Sequence, residues 1–167
     1  MGILDRFNQG KKANLSEKVI YSPASGRIVP LESVSDPLFS NKIMGDGVAI
    51  EPTQGIIVAP CSGEVKMVFD SKHAILFYTN EGIKLLIHIG IDTVALCGKY
   101  YESKCKVGDH VAIGQELMKF DIKRIKEAGY EVTCPVIISN MSDFEKIELL
   151  TTEGEVNQLD SIIKVYS

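Results

Sequence analysis

The sequence predicts an all-β protein with a few short helices, on three observations. Most segments are short and punctuated by Gly, Pro, Asn and Asp; β-prone runs stand at 56–58, 74–78, 85–89 and 136–138; and helical periodicity is convincing in only two places. A length of 167 residues, 45% of them hydrophobic and 24% charged, suits one sizeable core. The 18 basic and 22 acidic residues leave a net charge of −4 without a dense basic patch, which argues against a nucleic-acid-binding surface. The longest apolar run, 85–91, is interrupted by His88 and Gly90 and is far short of the roughly 20 residues that cross a bilayer. With no secretory-type leader at the start, the expected location is the cytoplasm.

Taken in order, residues 1–18 separate from the domain expected over 19–167. Ile3, Leu4 and Phe7 share one side of a short amphipathic turn, and 10–14 read as a polar tether. With Lys11, Lys12 and Lys18 beside it, this segment has the composition for weak contact with an anionic membrane surface. The turn Pro23-Ala24-Ser25-Gly26-Arg27-Ile28-Val29 recurs in outline 37 residues later as Pro60-Cys61-Ser62-Gly63-Glu64-Val65-Lys66, which suggests two related halves. A third turn, at 106–117, is similar to the hairpins of biotinyl and lipoyl carrier domains but lacks the carrier lysine, so no cofactor is expected. Asp121 is placed to cap a helix carrying Ile122, Ile125 and Ala128 and stopped at Gly129; Ser142 and Glu145 form a capping box before Ile147. Cys61, Cys97, Cys105 and Cys134 have no zinc-ligand spacing and read as small, partly buried reduced thiols.

The most informative geometry is a hairpin. If Asn80 and Glu81 form its tip, residues pair wherever their numbers sum to 161, which sets His73 opposite His88. Alternation then puts Ile75, Phe77, Lys84 and Leu86 on the histidine face and Leu76, Tyr78, Ile83, Leu85 and Ile87 in the core; a slip of one residue undoes this. Paired histidines admit four readings. They can be structural, or half of a zinc site completed by Asp92 or a partner, or a general acid–base pair. In the fourth, one imidazole attacks a phosphoryl group and its neighbour stabilises the oxygens, with Leu86, Ile89 and Ile91 helping to keep water out. No nucleotide-binding loop or kinase signature is present, so under that reading another protein delivers the phosphoryl group.

The stretch Gly82-Ile83-Lys84-Leu85-Leu86-Ile87-His88-Ile89-Gly90-Ile91-Asp92-Thr93-Val94-Ala95 closely resembles the phosphorylation-site signature of the glucose-type enzyme IIA proteins of the phosphoenolpyruvate:sugar phosphotransferase system. Lys72-His73-Ala74 resembles the family's second-histidine motif, Met44-Gly45-Asp46-Gly47-Val48-Ala49 its upstream glycine turn, and Pro135-Val136-Ile137-Ile138-Ser139-Asn140-Met141 its late strand. The start, Met1-Gly2-Ile3-Leu4-Asp5-Arg6-Phe7, looks like that of stand-alone family members.

The resemblance implies an antiparallel β-sandwich, a hybrid with barrel-like character built on a duplicated motif. It implies a phosphocarrier that receives phosphoryl from the histidine of HPr and passes it to a cysteine of an enzyme IIB domain. His88 would be the acceptor, through Nε2, and His73 the assisting imidazole. The Ser71 hydroxyl and the Gly90 carbonyl would orient the two rings, with Ser71 standing where threonine is common in the family. Asp92 would position or repel the phosphoryl group. Phe39, Ile43, Phe69, Leu86 and Val94 match the family's apolar docking face, and Phe69 is the one most readily read as core instead. The resemblance also implies regulatory docking on transporters or metabolic enzymes. No metal is required, although His73 and His88 would accept adventitious zinc. His110 lies in a tight turn and reads as surface structure. A zinc hydrolase of related architecture would carry an H-x-H pair, which this chain lacks.

Overall fold

The computed structural model describes residues 17–167. The expectations for Ile3, Leu4, Phe7 and the tether lie outside the described residues. The first strand, β1 (Glu17–Tyr21), already includes Glu17 and Lys18, so the folded unit begins ahead of the expected boundary at 19.

Among the described residues every strand pairing is antiparallel, and the strands form three sheets. The large sheet has eight strands. Its members in chain order are β2 (Gly26–Pro30), β3 (Asp46–Pro52), β5 (Gly63–Val68), β6 (Ala74–Thr79), β7 (Lys84–His88), β9 (His110–Val111), β11 (Cys134–Ile138) and β13 (Gly154–Val156). In space they run β13-β2-β3-β11-β7-β6-β5-β9. Three-stranded sheets are built from β1, β14 (Ser161–Tyr166) and β12 (Lys146–Leu149), and from β4 (Ile56–Val58), β10 (Glu116–Phe120) and β8 (Tyr101–Ser103). The all-β fold with a few short helices is as the sequence indicates, and the two similar turns at 23–29 and 60–66 lead into β2 and β5 of one sheet.

Strict alternation divides the large sheet. Ile28, Val48, Ile50, Ile75, Phe77, Leu85, Ile87, Val136 and Ile138 face the main core, fully buried. Val29, Ala49, Ala74, Leu86 and Ile137, from the same strands, face the other way and form a second cluster with Leu31, Val34 and Phe39. The lid on this second face is the segment 31–40, a 3-10 turn (Leu31–Ser33) followed by the short helix α1 (Pro37–Ser40). Asp36 caps α1 by accepting from the Leu38 N–H at 2.9 Å, and Pro37 occupies the first turn, where a missing N–H costs nothing. The helix thus formed holds Phe39 down on the sheet, beside β7.

Of the two helices expected, one forms. Asp121 accepts from the Arg124 N–H at 3.1 Å to cap α2 (Ile122–Glu127), and Gly129 leaves it with φ 94°. The capping box at Ser142 and Glu145 yields only a 3-10 turn, Met141–Asp143, and Ile147 lies in β12 instead. Residues 146–149 pair with β14, and that ladder outweighs a local capping signal.

The hairpin of β6 and β7 forms in a different register. Ala74 pairs with His88 and Tyr78 with Lys84, a sum of 162, because the loop has three residues, 80–82, with Gly82 at φ 87°. The third loop residue shifts the expected faces. Ile75 and Phe77 join Leu85 and Ile87 in the core, while Leu76, Tyr78, Lys84 and Leu86 share the face of His88. Asn140 braces the loop from outside, accepting from the Lys84 N–H at 2.9 Å and donating to the Gly82 carbonyl at 2.9 Å.

Candidate active site

His88 is the last residue of β7, on the face that carries Leu86 and Ala74. His73 falls just outside β6, after Lys72 at φ 58°, so the alternation rule that would send its side chain into the core does not bind it. Its carbonyl still accepts from the Ile89 N–H at 2.6 Å, which ties the two segments together. The rings meet edge to face with centroids 5.1 Å apart at 70°. The expected meeting of His73 and His88 therefore occurs, through a bend at the strand end and not through direct opposition.

Each ring leans on a phenylalanine. Phe39 lies 5.0 Å from His88 and Phe69 lies 5.4 Å from His73, centroid to centroid. Together with Leu86 they wall a small cavity of about 170 Å³ against the two imidazoles, with Asp36 on its rim. Burial pushes the pKa of His88 below its usual value, opposed by the carbonyl of Gly90 and by the carboxylates of Asp36 and Asp92. Burial, and then the neighbouring His88, push His73 down as well. Both imidazoles are accordingly neutral at neutral pH, the form in which a ring nitrogen keeps its lone pair.

The tautomer of His88 follows from one hydrogen bond. Its Nδ1 lies 2.6 Å from the Gly90 carbonyl, an obligate acceptor, so Nδ1 holds the proton and Nε2 holds the lone pair. Gly90 can turn its carbonyl there because its φ is 89°; a Cβ at this position would come within 2.5 Å of the Thr93 methyl. The Gly90 carbonyl thus lies against the ring of His88, the position its expected orienting role requires. The matching expectation for Ser71 is not met: the Nδ1 of His73 is buried with no hydrogen-bond partner, and the Ser71 hydroxyl does not reach it. Serine lacks the methyl that would restrict its rotamer, so nothing drives its hydroxyl toward the ring.

Asp92 is exposed and opens the 3-10 turn Thr93–Leu96 at φ 58°, without capping it through its side chain. It acts on His88 only through its charge. The residues expected on a docking face divide. Ile43, Phe69 and Val94 are exposed, Ile43 by 65%, whereas Phe39 and Leu86 are buried and form walls of the cavity. Phe69, the residue most readily read as core, is therefore a surface residue. Sequence reasoning missed Asp36, Leu38 and Met44, all on the cavity, although the Asp36-Pro37 pair is a helix-start signal that would have placed the first. The four cysteines are free; Cys134 is buried and Cys97 exposed, and burial pushes the Cys61 and Cys134 thiols up to about 12. His110 is exposed on the edge strand β9, away from the pair. No helix among the described residues is long and apolar enough to cross a membrane.

A β-sandwich-like fold with two partly desolvated histidines at a small cavity fits one class, a phosphotransferase component. Residues 18–144 match the family described as phosphoenolpyruvate-dependent sugar phosphotransferase system, EIIA 1. The chain is 41% identical over 157 residues to a glucose-specific EIIA component of Oceanobacillus iheyensis, covering 92% of this chain and 94% of that one. It is 46% identical over 147 residues to a glucoside-specific EIICBA component of Staphylococcus carnosus, of which it spans 21%. Among solved structures, the glucose permease IIA of Mycoplasma capricolum superposes with a TM-score of 0.80 at 31% identity, covering 89% of this chain and 96% of that one. The chain belongs to the EIIA family of the sugar phosphotransferase system, and it is a phosphocarrier between HPr and a IIB domain.

Proposed function

We propose that His88 is the residue phosphorylated and that His73 assists transfer onward. The observation that carries this is the 2.6 Å contact between His88 Nδ1 and the Gly90 carbonyl, which leaves Nε2 as the nucleophilic nitrogen. In the first step the Nε2 lone pair attacks the phosphorus of phospho-HPr. The new N–P bond forms as the donor's N–P bond breaks, and that electron pair returns to the donor imidazole. His73, its ring against His88, offers an N–H to the phosphoryl oxygens. In the second step a cysteine thiolate of IIB attacks phosphorus, an S–P bond forms, and the N–P electron pair returns to Nε2 of His88.

Leu38, Ile43, Met44, Phe69 and Val94, all exposed, supply an apolar docking surface for both partners, one that excludes water from the transferring group. Asp92 and Asp36 add negative charge beside His88 and so favour departure of the phosphoryl group. The residues ahead of β1 make a weak membrane-surface contact, a role supported by Ile3, Leu4 and Phe7 beside Lys11 and Lys12 in the sequence; cosedimentation with anionic vesicles, lost on deleting 1–16, tests it.

The experiment for the central reading is intact-protein mass spectrometry after incubation with phosphoenolpyruvate, enzyme I and HPr, held at alkaline pH. A single acid-labile phosphoryl adduct that is absent from His88→Ala is the expected result. An adduct of equal size on His88→Ala would overturn the assignment.

A further inference from the structure

Strand β7 ends at His88, and the next carbonyl, that of Ile89, has left the sheet ladder. Such a group needs other partners when buried. It has two. The Thr93 hydroxyl donates to it at 2.9 Å and the Tyr101 hydroxyl, from β8 in a different sheet, donates to it at 2.8 Å. Both lone pairs of this one oxygen are thereby used, and both donors are buried.

The Ile89 carbonyl belongs to the peptide that links Ile89 to Gly90. Fixing that peptide fixes the position from which Gly90 turns its own carbonyl back onto His88 Nδ1. On the far side of the turn, the Ile91 N–H donates to the Glu131 carbonyl at 3.0 Å, so the loop is held at both ends. The ring of Tyr101 lies beside that of Phe120, its partner across the β8–β10 pairing, with centroids 6.2 Å apart and planes 22° apart.

We infer that Tyr101 is a positioning residue for phosphoryl transfer: through the Ile89 carbonyl it sets the Gly90 turn, and through that turn the tautomer and orientation of His88. The inference rests on the assignment of His88 as acceptor. Thr93 lies on the same loop as the group it holds and moves with it. The Ile89 and Ile91 N–H groups hold the main chain to His73 and Glu131, and Tyr101 is the side chain that ties the Ile89 carbonyl to a separate sheet. The ring alone would pack equally well as phenylalanine; the hydroxyl is what reaches the carbonyl.

The test is Tyr101→Phe, which keeps the ring and its stacking and removes one donor, with Phe120→Leu as a control that loosens the same stack and keeps the hydroxyl. Nitrogen-15 NMR of the imidazoles reads the tautomer of His88 without any transfer reaction, and quench-flow with phospho-HPr reads the acceptance rate. In Tyr101→Phe the His88 nitrogen shifts move toward a tautomer mixture, and acceptance slows about fivefold, the scale of one lost hydrogen bond. Phe120→Leu melts earlier with the His88 shifts unchanged. Native-like His88 shifts in Tyr101→Phe would overturn the inference, and so would equal shifts in both variants, since ring packing would then be the cause. Neither result bears on whether His88 is the acceptor, which the adduct on His88→Ala decides separately.

Discussion

The two histidine rings are held in opposite ways, one by a hydrogen bond and the other by aromatic packing. Residues 88–93 are pinned throughout: His88 to the Gly90 carbonyl, the Ile89 carbonyl to two hydroxyls, and Ile91 to Glu131. Residues 69–73 are also pinned through the main chain, with the Phe69 N–H on the Ala74 carbonyl, the Lys72 N–H on the Phe69 carbonyl and the Ile89 N–H on the His73 carbonyl, but the buried Nδ1 of the His73 ring meets nothing polar. A nucleophile must present one nitrogen with its lone pair free, so its tautomer has to be fixed in advance. A supporting imidazole has to follow a phosphoryl group that arrives on one partner and leaves on another, and a ring held by aromatic packing keeps the freedom to do so.

The sharpest way to break this contrast is at the segment that anchors the His88 ring. Gly90→Ala forces a side chain into a φ of 89° and against the Thr93 methyl, and should cost about 2–4 kcal/mol of stability together with most phosphoryl acceptance. Thermal melts and adduct formation check both. At the ring without a polar anchor, His73→Ala should still accept from HPr while passing phosphoryl to IIB about a hundredfold more slowly. Single-turnover kinetics of each half-reaction separates the two, and equal loss in both would sink the division of roles.

Acid sharpens the comparison next. Both histidines have folded-state pKa values below 6.5, set by burial, so protonation favours the unfolded chain. The stability they contribute is complete above about pH 6.5 and falls as pH drops through the window below it, by at most about 1.4 kcal/mol per pH unit for each ring. Acceptance falls in the same direction as Nε2 of His88 takes a proton. Melts and adduct rates from about pH 7.5 down to about pH 5 follow both effects, and His88→Ala should flatten part of the stability slope. The smallest effect belongs to Ser71→Ala, within about 0.5 kcal/mol in stability, with His73 nitrogen shifts unchanged because no hydrogen bond joins the two.

The β-prone runs made the β architecture legible in the sequence and the hairpin made the histidine pair so, while the resemblance carried by the His88 stretch added the Gly90 carbonyl. What escaped it was governed by contacts remote in sequence. One residue in the loop 80–82 moved every pairing in the hairpin, since the glycine that closes a three-residue loop also suits a shorter one. Ile147 followed the ladder with β14 against a good capping signal. The walls of the cavity were mixed with its rim, because whether Phe39 or Phe69 is covered depends on where the segment 31–40 lies over the sheet. Tyr101 offered no signal at all, as its partner is a main-chain oxygen twelve positions away.

The cavity beside the histidines, about 170 Å³, is smaller than the roughly 300 Å³ at which pockets begin to enclose small organic molecules. A phosphoryl group fits there. The cargo of a phosphocarrier looks the same whichever sugar is being taken up. With the apolar rim in its proposed docking role, any IIB domain that matches that rim draws on the same phosphorylated pool.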